Sequence, residues 1–400
     1  MSMPVVRLRK GRARTLWGRH PWVFEGSVAA VDGAPEDGDV VDVVDEQGRF
    51  VARGFWNGGS FLRVRAVTWD AAEAVDDALL DRRVREAIAV RRDVVALPDE
   101  STDAYRLVHS EGDRLPGLVA DLYGEWIVVR IGSRGMERRR EAIARSLLDA
   151  TGARGVWLSP DDAFREREGL VITEPGVLAG ETPPDEVSIR EAGIAYQVDL
   201  RGGQKTGHYL DQRENRIRVA ELAGGRRVLD AFCSTGGFAL AADVLGGAAS
   251  VRAIESSADA LARARRNAAA NGAQRIEWVE ADVFAELRRM EREDAARFDL
   301  VILDPPRFAK NERELEAAFR GYKDVNLRAL RLLEPGGVLV SCSCSSPVTF
   351  EHHEVMLREA AMDVGRDLRV IEWRGAGGDH PVLVSAPEGR YLTVVVGVVS

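Results

Sequence analysis

Val228-Leu-Asp-Ala-Phe-Cys-Ser-Thr-Gly-Gly237 is the stretch on which the reading of the chain turns. From Arg227 to Phe232 it is apolar apart from its ends, then breaks at Ser-Thr-Gly-Gly before a helical run from Phe238 to Leu245, so it reads as buried strand, tight turn and helix. Glycines at 236 and 237 let backbone N–H groups approach a ligand, and a helix N-terminus favours negative charge such as a carboxylate. No G-x-G-x-x-G diphosphate fingerprint is present, which argues against a dinucleotide.

The pattern repeats outward from there. Ser250-Val-Arg-Ala-Ile-Glu255 is a second strand whose closing acid stands where open α/β sheets place a ribose ligand, so Glu255 is expected to hold ribose hydroxyls. Arg275-Ile-Glu-Trp-Val-Glu280 precedes Asp282, whose carboxylate could accept from an adenine amino group. Phe298 to Asp304 is the fourth strand and Gly337 to Cys342 the fifth. This alternation, an α/β fold from roughly 190 to 400, resembles the class I Rossmann-like S-adenosylmethionine (SAM) methyltransferases. The resemblance implies S-adenosyl-L-methionine as cofactor, held by Asp230, Phe232, Thr235, Gly236, Gly237, Glu255, Asp282 and Asp304. Upstream, Gly202 to Asn215 is polar and glycine-rich, a binding loop entering a helix; Gln212 belongs to the same set, and Arg213 offers a fork for the methionine carboxylate.

Chemistry is expected at strands four and five. Asp304-Pro-Pro306 cannot continue a ladder, so the chain leaves the sheet at its carboxyl edge with Asp304 beside the methyl donor. Cys342 and Cys344, two apart at a strand end, point to one face. Methylating C5 of a pyrimidine requires a nucleophile at C6, and a thiolate suits it. Cys233 is read as core or as a wall of the donor site, and His352 and His353 as helix surface; a zinc clasp with the two later cysteines is awkward, and no metal is expected.

Arg19-His-Pro-Trp-Val-Phe24, Arg106 to Leu118, Gln204-Lys-Thr-Gly207, Leu210-Asp-Gln-Arg213, Asp304 to Lys310, Ser341-Cys-Ser-Cys-Ser345 and Asp379-His-Pro381 together resemble the ribosomal RNA large-subunit methyltransferase I family. That resemblance implies a 5-methylcytosine-forming enzyme of 23S ribosomal RNA or its large-subunit precursor, with Cys342 the first choice as nucleophile, Cys344 the second, and Asp304 on the base. Cys233-Ser234 and His109-Ser110 depart from the Ser-Tyr and Asn-Gly more usual there. Two other functions fit the residues alone: methylation of a nucleobase nitrogen by Asp-Pro-Pro without a cysteine, and a non-catalytic RNA-binding assembly factor.

Residues 1–70 read as a small β-barrel, named a PUA domain by the resemblance; 71–185 as an α+β middle domain; 186–400 as the methyltransferase domain. Arg7, Arg9, Lys10, Arg12, Arg14 and Arg19 precede any acid and interleave with Trp17, Trp22 and Phe24, a pattern suited to phosphate contact and base stacking. Trp22 and Phe24 equally suit the core face of a strand. Ala71 to Arg92 reads as a helix with a stripe of Leu79, Leu80, Val84, Ile88 and Val90 and solvated arginines. A second helix is expected around Met136 to Ala150. Four hundred residues, 45% hydrophobic and 30% charged, are ordinary for a soluble multidomain chain. Three cysteines suit a reducing cytoplasm, no leader or membrane segment is expected, and a homodimer is compatible with the sequence. A net charge of −9 disfavours indiscriminate nucleic-acid binding but not a local basic face.

Overall fold

The computed structural model describes residues 3–160, 165–166, 168–171, 174–201, 208–293, 297–309, 311–345 and 347–400; positions 202–207 of the expected binding loop 202–215 and Lys310 lie outside the described residues. The chain forms two compact units, one of Met1–Ile189, Val198–Leu210 and Gly378–Gly389, the other of Arg190–Gln197, Asp211–Gly377 and Arg390–Ser400.

The second unit is built on a seven-stranded sheet: β1 (Arg227–Ala231), β2 (Ser250–Glu255), β3 (Ile276–Glu280), β4 (Phe298–Leu303), β5 (Leu333–Ser343), β6 (Leu368–Arg374) and β7 (Thr393–Val399). Their order is β3-β2-β1-β4-β5-β7-β6. The first five run parallel, and β7 is antiparallel to both neighbours. Strands covered by helices on both faces must be apolar throughout, and Val228, Leu229, Leu300 to Leu303, Leu339 and Val340 are buried. Strand order reverses between β1 and β4, where such sheets open a crevice at their carboxyl ends. β5 begins before its expected start at Gly337, because Leu333 already pairs with Phe298 of β4 ahead of a register shift.

The first unit holds two sheets. One has six strands in the order Trp22–Phe24, Leu62–Thr68, Phe50–Trp56, Val40–Val44, Val5–Leu8, Val28–Asp32. Its core is Val6, Leu8, Val23, Val41, Val43 and Val64 with their neighbours. The other has five strands, Gly176–Gly180, Gly155–Leu158, Trp126–Ile131, Leu118–Tyr123 and Ala104–His109, against which the helices Asp77–Asp93 and Arg140–Thr151 pack. The first helix begins later than Ala71 because the Asp76 carboxylate accepts from Leu79 N–H at 2.9 Å and caps it there. The helix expected around Met136 to Ala150 is two pieces, Arg134–Glu137 and Arg140–Thr151.

Two expectations about the helix Asp77–Asp93 are corrected. Val90 is exposed, whereas Arg83 and Arg91 are buried. Arg91 makes a fork with Asp113 at 2.5 and 2.8 Å, donates to the Asp379 carbonyl at 2.7 Å, and reaches the Arg106 carbonyl at 3.0 Å. Asp379 in turn accepts from Arg106 N–H at 2.8 Å, and Arg106 pairs with Asp121 at 2.7 Å. The segments Arg106 to Asp113 and Asp379 to Pro381 thus converge on one buried ionic network, in which burial and the neighbouring Arg106 hold the His109 imidazole well below its usual pKa.

Candidate active site

The turn after β1 is wound tightly. Phe232, Ser234 and Gly236 all take left-handed backbone angles, φ +68°, +50° and +87°, which costs about 1–3 kcal/mol at each non-glycine residue and is characteristic of ligand clamps. Gly236 has no room for a side chain, since a Cβ there would stand 2.7 Å from the Trp278 ring. At Gly237 it would stand 2.5 Å from Arg216 Nε. Arg216 is itself buried against Glu191, with Nη1 at 2.7 and 2.9 Å from the carboxylate oxygens. Thr235 accepts from Asn267 through its carbonyl at 3.5 Å.

The acids at the strand ends differ in state. Asp230 is fully buried; one oxygen accepts from Ala239 N–H at 2.9 Å, and Oδ1 has no hydrogen-bond partner among the described residues. Burial and the charge of Asp304 push its pKa up to about 8. Glu255 ties the loop to the second strand, accepting from Ser234 N–H at 3.0 Å with one oxygen and from Ser256 and Ser257 N–H at 2.8 and 2.9 Å with the other. Asp282 is exposed and caps the helix Val283–Glu293 through Ala285 N–H at 2.8 Å.

At β4 and β5 the structure brings together what the sequence separates by some forty residues. Asp304 N–H faces the Ala231 carbonyl at 3.4 Å, and Gln212 Nε2 donates to Asp304 Oδ1 at 3.0 Å. Gln212 Oε1 accepts from Asn215 at 2.7 Å, and its side chain also meets the Cys342 thiol. Arg213 is buried at the start of the helix Arg213–Ala223, 3.8 Å from Glu214. Asn215 and Arg216 were missed from sequence; their signal is that polar residues occupy 212, 215 and 216, the spacing of the helix's buried face.

The two cysteines, of which the sequence favours Cys342, have different environments. Cys342 sits in the hydrophobic core with Val219, Phe238 and Val394, wholly buried, and burial together with the Asp304 charge pushes its thiol well above the usual range. A nucleophilic thiol needs the opposite, access and a lowered pKa. Cys344 lies one residue past the end of β5, half-buried, with its sulfur 3.8 Å from the Pro305 carbonyl of Asp-Pro-Pro. Cys233 is core.

The other face of β5 is polar and internally satisfied. Ser345 Oγ meets the Tyr322 hydroxyl at 2.9 Å and accepts from Ala309 N–H at 3.2 Å, so one hydroxyl joins the loop after Cys344 to the loop after Asp304. Above the ring of Tyr322, Phe308, Phe284 and Phe232 follow at centroid spacings of 4.6, 5.9 and 6.0 Å. His353 is not on the helix surface: it is buried between Ser341 Oγ and Thr393 Oγ1, each at 2.9 Å. His352 instead closes a capping box with Thr349. Burial lowers the His353 pKa from 6.5 to about 4. Because the unfolded state then binds a proton that the folded state refuses, its contribution is fully present above pH 6.5 and is lost as pH falls towards about 4. The unfolding free energy should therefore fall between those limits by up to ~1.4 kcal/mol per pH unit from this group. Urea unfolding of the wild type and His353→Gln at pH 7 and 4.5 measures it; parallel pH profiles would refute the assignment.

In the first unit, Arg9, Lys10, Arg12, Arg14 and Arg19 are exposed. Lys10, Arg12 and Arg14 have no acidic partner among the described residues, and Arg19 lies over the Trp69 ring at 5.4 Å. Arg7 is 3.7 Å from Asp32, and Arg9 donates to the Val28 carbonyl. Trp22 is half-buried with Nε1 on Glu111 at 2.9 Å. No helix among the described residues is long and apolar enough to cross a membrane.

A parallel sheet with an antiparallel seventh strand, a glycine turn after β1 and acids at successive carboxyl ends define a class I methyltransferase dependent on S-adenosylmethionine. A family model of S-adenosylmethionine-dependent methyltransferases matches residues 163–381, and one of PUA-like domains matches residues 6–69. Over 391 residues, 97% of this chain and 96% of the relative, the sequence is 41% identical to the ribosomal RNA large subunit methyltransferase I of Salmonella enteritidis PT4. The same identity and coverage hold for that of Salmonella heidelberg. The chain belongs to the ribosomal RNA large subunit methyltransferase I family, as its motifs implied. Among solved structures, a SAM-dependent methyltransferase of Streptococcus mutans superposes with a TM-score of 0.83 across 98% of this chain and 99% of that chain, at 19% identity. A methyltransferase complexed with SAH gives 0.85 at the same identity and coverage. At that identity the likeness is one of fold. S-adenosylmethionine is the cofactor, and the residues present fit it: a strained turn built for close backbone approach, and a buried carboxyl oxygen of Asp230 with no donor among the described residues.

Proposed function

We propose that this enzyme forms 5-methylcytosine in 23S ribosomal RNA, free or within a large-subunit precursor, through a covalent adduct of Cys344. The observation that carries the reading is the half-buried Cys344 sulfur 3.8 Å from the Asp-Pro-Pro backbone, two strands across the sheet from the glycine turn. The substrate is argued from the relatives, which are named for ribosomal RNA of the large subunit.

In this mechanism the Cys344 thiolate adds to C6 of an unstacked cytosine, and the displaced π electrons make C5 nucleophilic. Asp304, oriented by Gln212, holds the base at N3 or N4. S-adenosylmethionine supplies the methyl group that C5 takes up. Loss of the C5 proton then expels the thiolate and restores the aromatic ring. For the cofactor we assign the turn Phe232 to Gly237 and Asp230 to the methionine end, with Arg213 on its carboxylate, Glu255 to the ribose and Asp282 to the adenine. Glu255 retains one free acceptor direction beyond the bond from Ser234. Residues 1–70, with Arg9, Lys10, Arg12, Arg14, Arg19 and Trp22, and to a lesser degree Arg7, are assigned to RNA; 71–185 to an intervening domain; 186–400 to catalysis. The work is assigned to the cytoplasm, where the three thiols, none in a disulfide, stay reduced.

The test is incubation with undermethylated large-subunit RNA and labelled S-adenosylmethionine, followed by nucleoside mass spectrometry. 5-Methylcytidine is the expected product. Label on a nucleobase nitrogen would replace this reading with a cysteine-independent one, and cofactor binding without transfer to any RNA would point to an assembly factor.

A further inference from the structure

The strand Trp22–Phe24 was open to two readings, and the structure separates them. Val23 is the core residue, wholly buried, whereas Phe24, past a register shift in the strand, keeps its ring beside that of Trp22. Phe24 is 38% exposed, and beside it Phe61 is 69% exposed, their ring centroids 5.5 Å apart and tilted by 43°. The row continues inward: Trp22 lies 6.1 Å from Phe24, and His20 lies 5.5 Å from Trp22. It therefore leads back along the chain towards Arg19, the last of the exposed cations.

Phe61 is not a frayed loop tip. The preceding turn is clamped by Asn57, whose Oδ1 accepts from Gly59 and Ser60 N–H at 3.1 and 3.2 Å, and Ser60 Oγ accepts from Leu62 N–H at 3.1 Å. The Phe61 carbonyl takes Glu25 N–H at 2.8 Å. A large apolar ring held this firmly in water lacks a folding rationale, and presenting it rigidly saves the ordering cost a partner would otherwise meet. The acids around it are already engaged: Glu25 pairs with Arg63, and Glu111 takes both Trp22 Nε1 and Arg65. These two carboxylates are thus each paired with an arginine. Two exposed aromatic faces, on the same unit as the exposed cations Lys10, Arg12 and Arg14, are the elements of single-strand recognition, one stacking bases and the other meeting phosphates.

We propose that Phe24 and Phe61 form a stacking platform for an unpaired nucleobase of the substrate RNA, outside the methylation site. The proposal rests on the RNA-substrate reading above and adds to it a specific pair of side chains.

The experiment is fluorescence-anisotropy titration of the full-length protein with labelled, undermethylated large-subunit RNA fragments containing unpaired segments, at several salt concentrations. Phe61→Ala should weaken binding roughly ten- to hundred-fold while leaving the salt slope unchanged, because no phosphate contact is lost. Arg12→Ala should lower that slope. Phe61→Trp should retain affinity, with its emission quenched on binding. Unchanged thermal midpoints for the Phe61 variants would confirm that folding is intact. If wild type binds and Phe61→Ala binds within two-fold of it, or Phe61→Trp is not quenched, the platform is refuted and the RNA reading survives. If wild type binds no RNA, both fall together.

Discussion

Cys344→Ala should abolish methyl transfer, by roughly 10⁴-fold or more, because C5 of cytosine has no comparable route to nucleophilicity once the thiolate is gone. Cys342→Ala should keep activity within about ten-fold. Cys342 is wholly buried beside Val394 and Phe238, and its thiol is pushed upward by burial and by Asp304, so removing it costs core packing rather than chemistry. The measurement is single-turnover transfer from labelled S-adenosylmethionine for both variants, with cofactor affinity measured separately so that a binding defect is not mistaken for a chemical one. The reverse pattern, an active Cys344→Ala and a dead Cys342→Ala, would overturn the assignment. An active Cys342→Ala/Cys344→Ala double variant would exclude a thiol mechanism at this strand end.

Arg91→Ala should have the largest effect on stability. The guanidinium is wholly buried and satisfies four groups: the Asp113 carboxylate in a fork at 2.5 and 2.8 Å, and the carbonyls of Asp379 at 2.7 Å, Arg106 at 3.0 Å and Ala87 at 3.3 Å. Truncating one partner of a buried pair leaves the other charge in a medium that cannot solvate it, at a cost of about 3–5 kcal/mol. Arg91→Lys should recover less than half of that, since an ammonium cannot make the planar double contact. Urea unfolding monitored by far-UV circular dichroism reads the difference, and a loss below about 1 kcal/mol would mean that water or a rearranged acid replaces the guanidinium.

The parallel core of the methyltransferase unit was readable because its chemistry is local. Five strand-like runs, with Asp230, Glu255, Asp282, Asp304 and Cys342 within them or just after them, mark strands and their carboxyl edge without knowledge of any partner. β6 and β7 were not anticipated: Thr393-Val-Val-Val-Gly-Val-Val399 is apolar enough for a strand, but its antiparallel place beside β5 follows from a pairing register that no local pattern carries. Periodicity also misjudged cover. Val90 was assigned to the stripe of its helix and Arg91 to the solvent, and the reverse holds because Asp379, distant in sequence, returns to meet Arg91.

By itself the sequence determined the class of fold, the cofactor turn, the Asp-Pro-Pro exit and the presence of two cysteines on one face, since each depends on backbone preferences and short spacings. The tertiary structure decided which cysteine is accessible, that His353 is core, that Glu255 and Asp282 brace their own turns, and that Phe24 faces water. Those are questions of what lies against a side chain, and burial, which sets both its pKa and its reach, exists only once distant segments have packed.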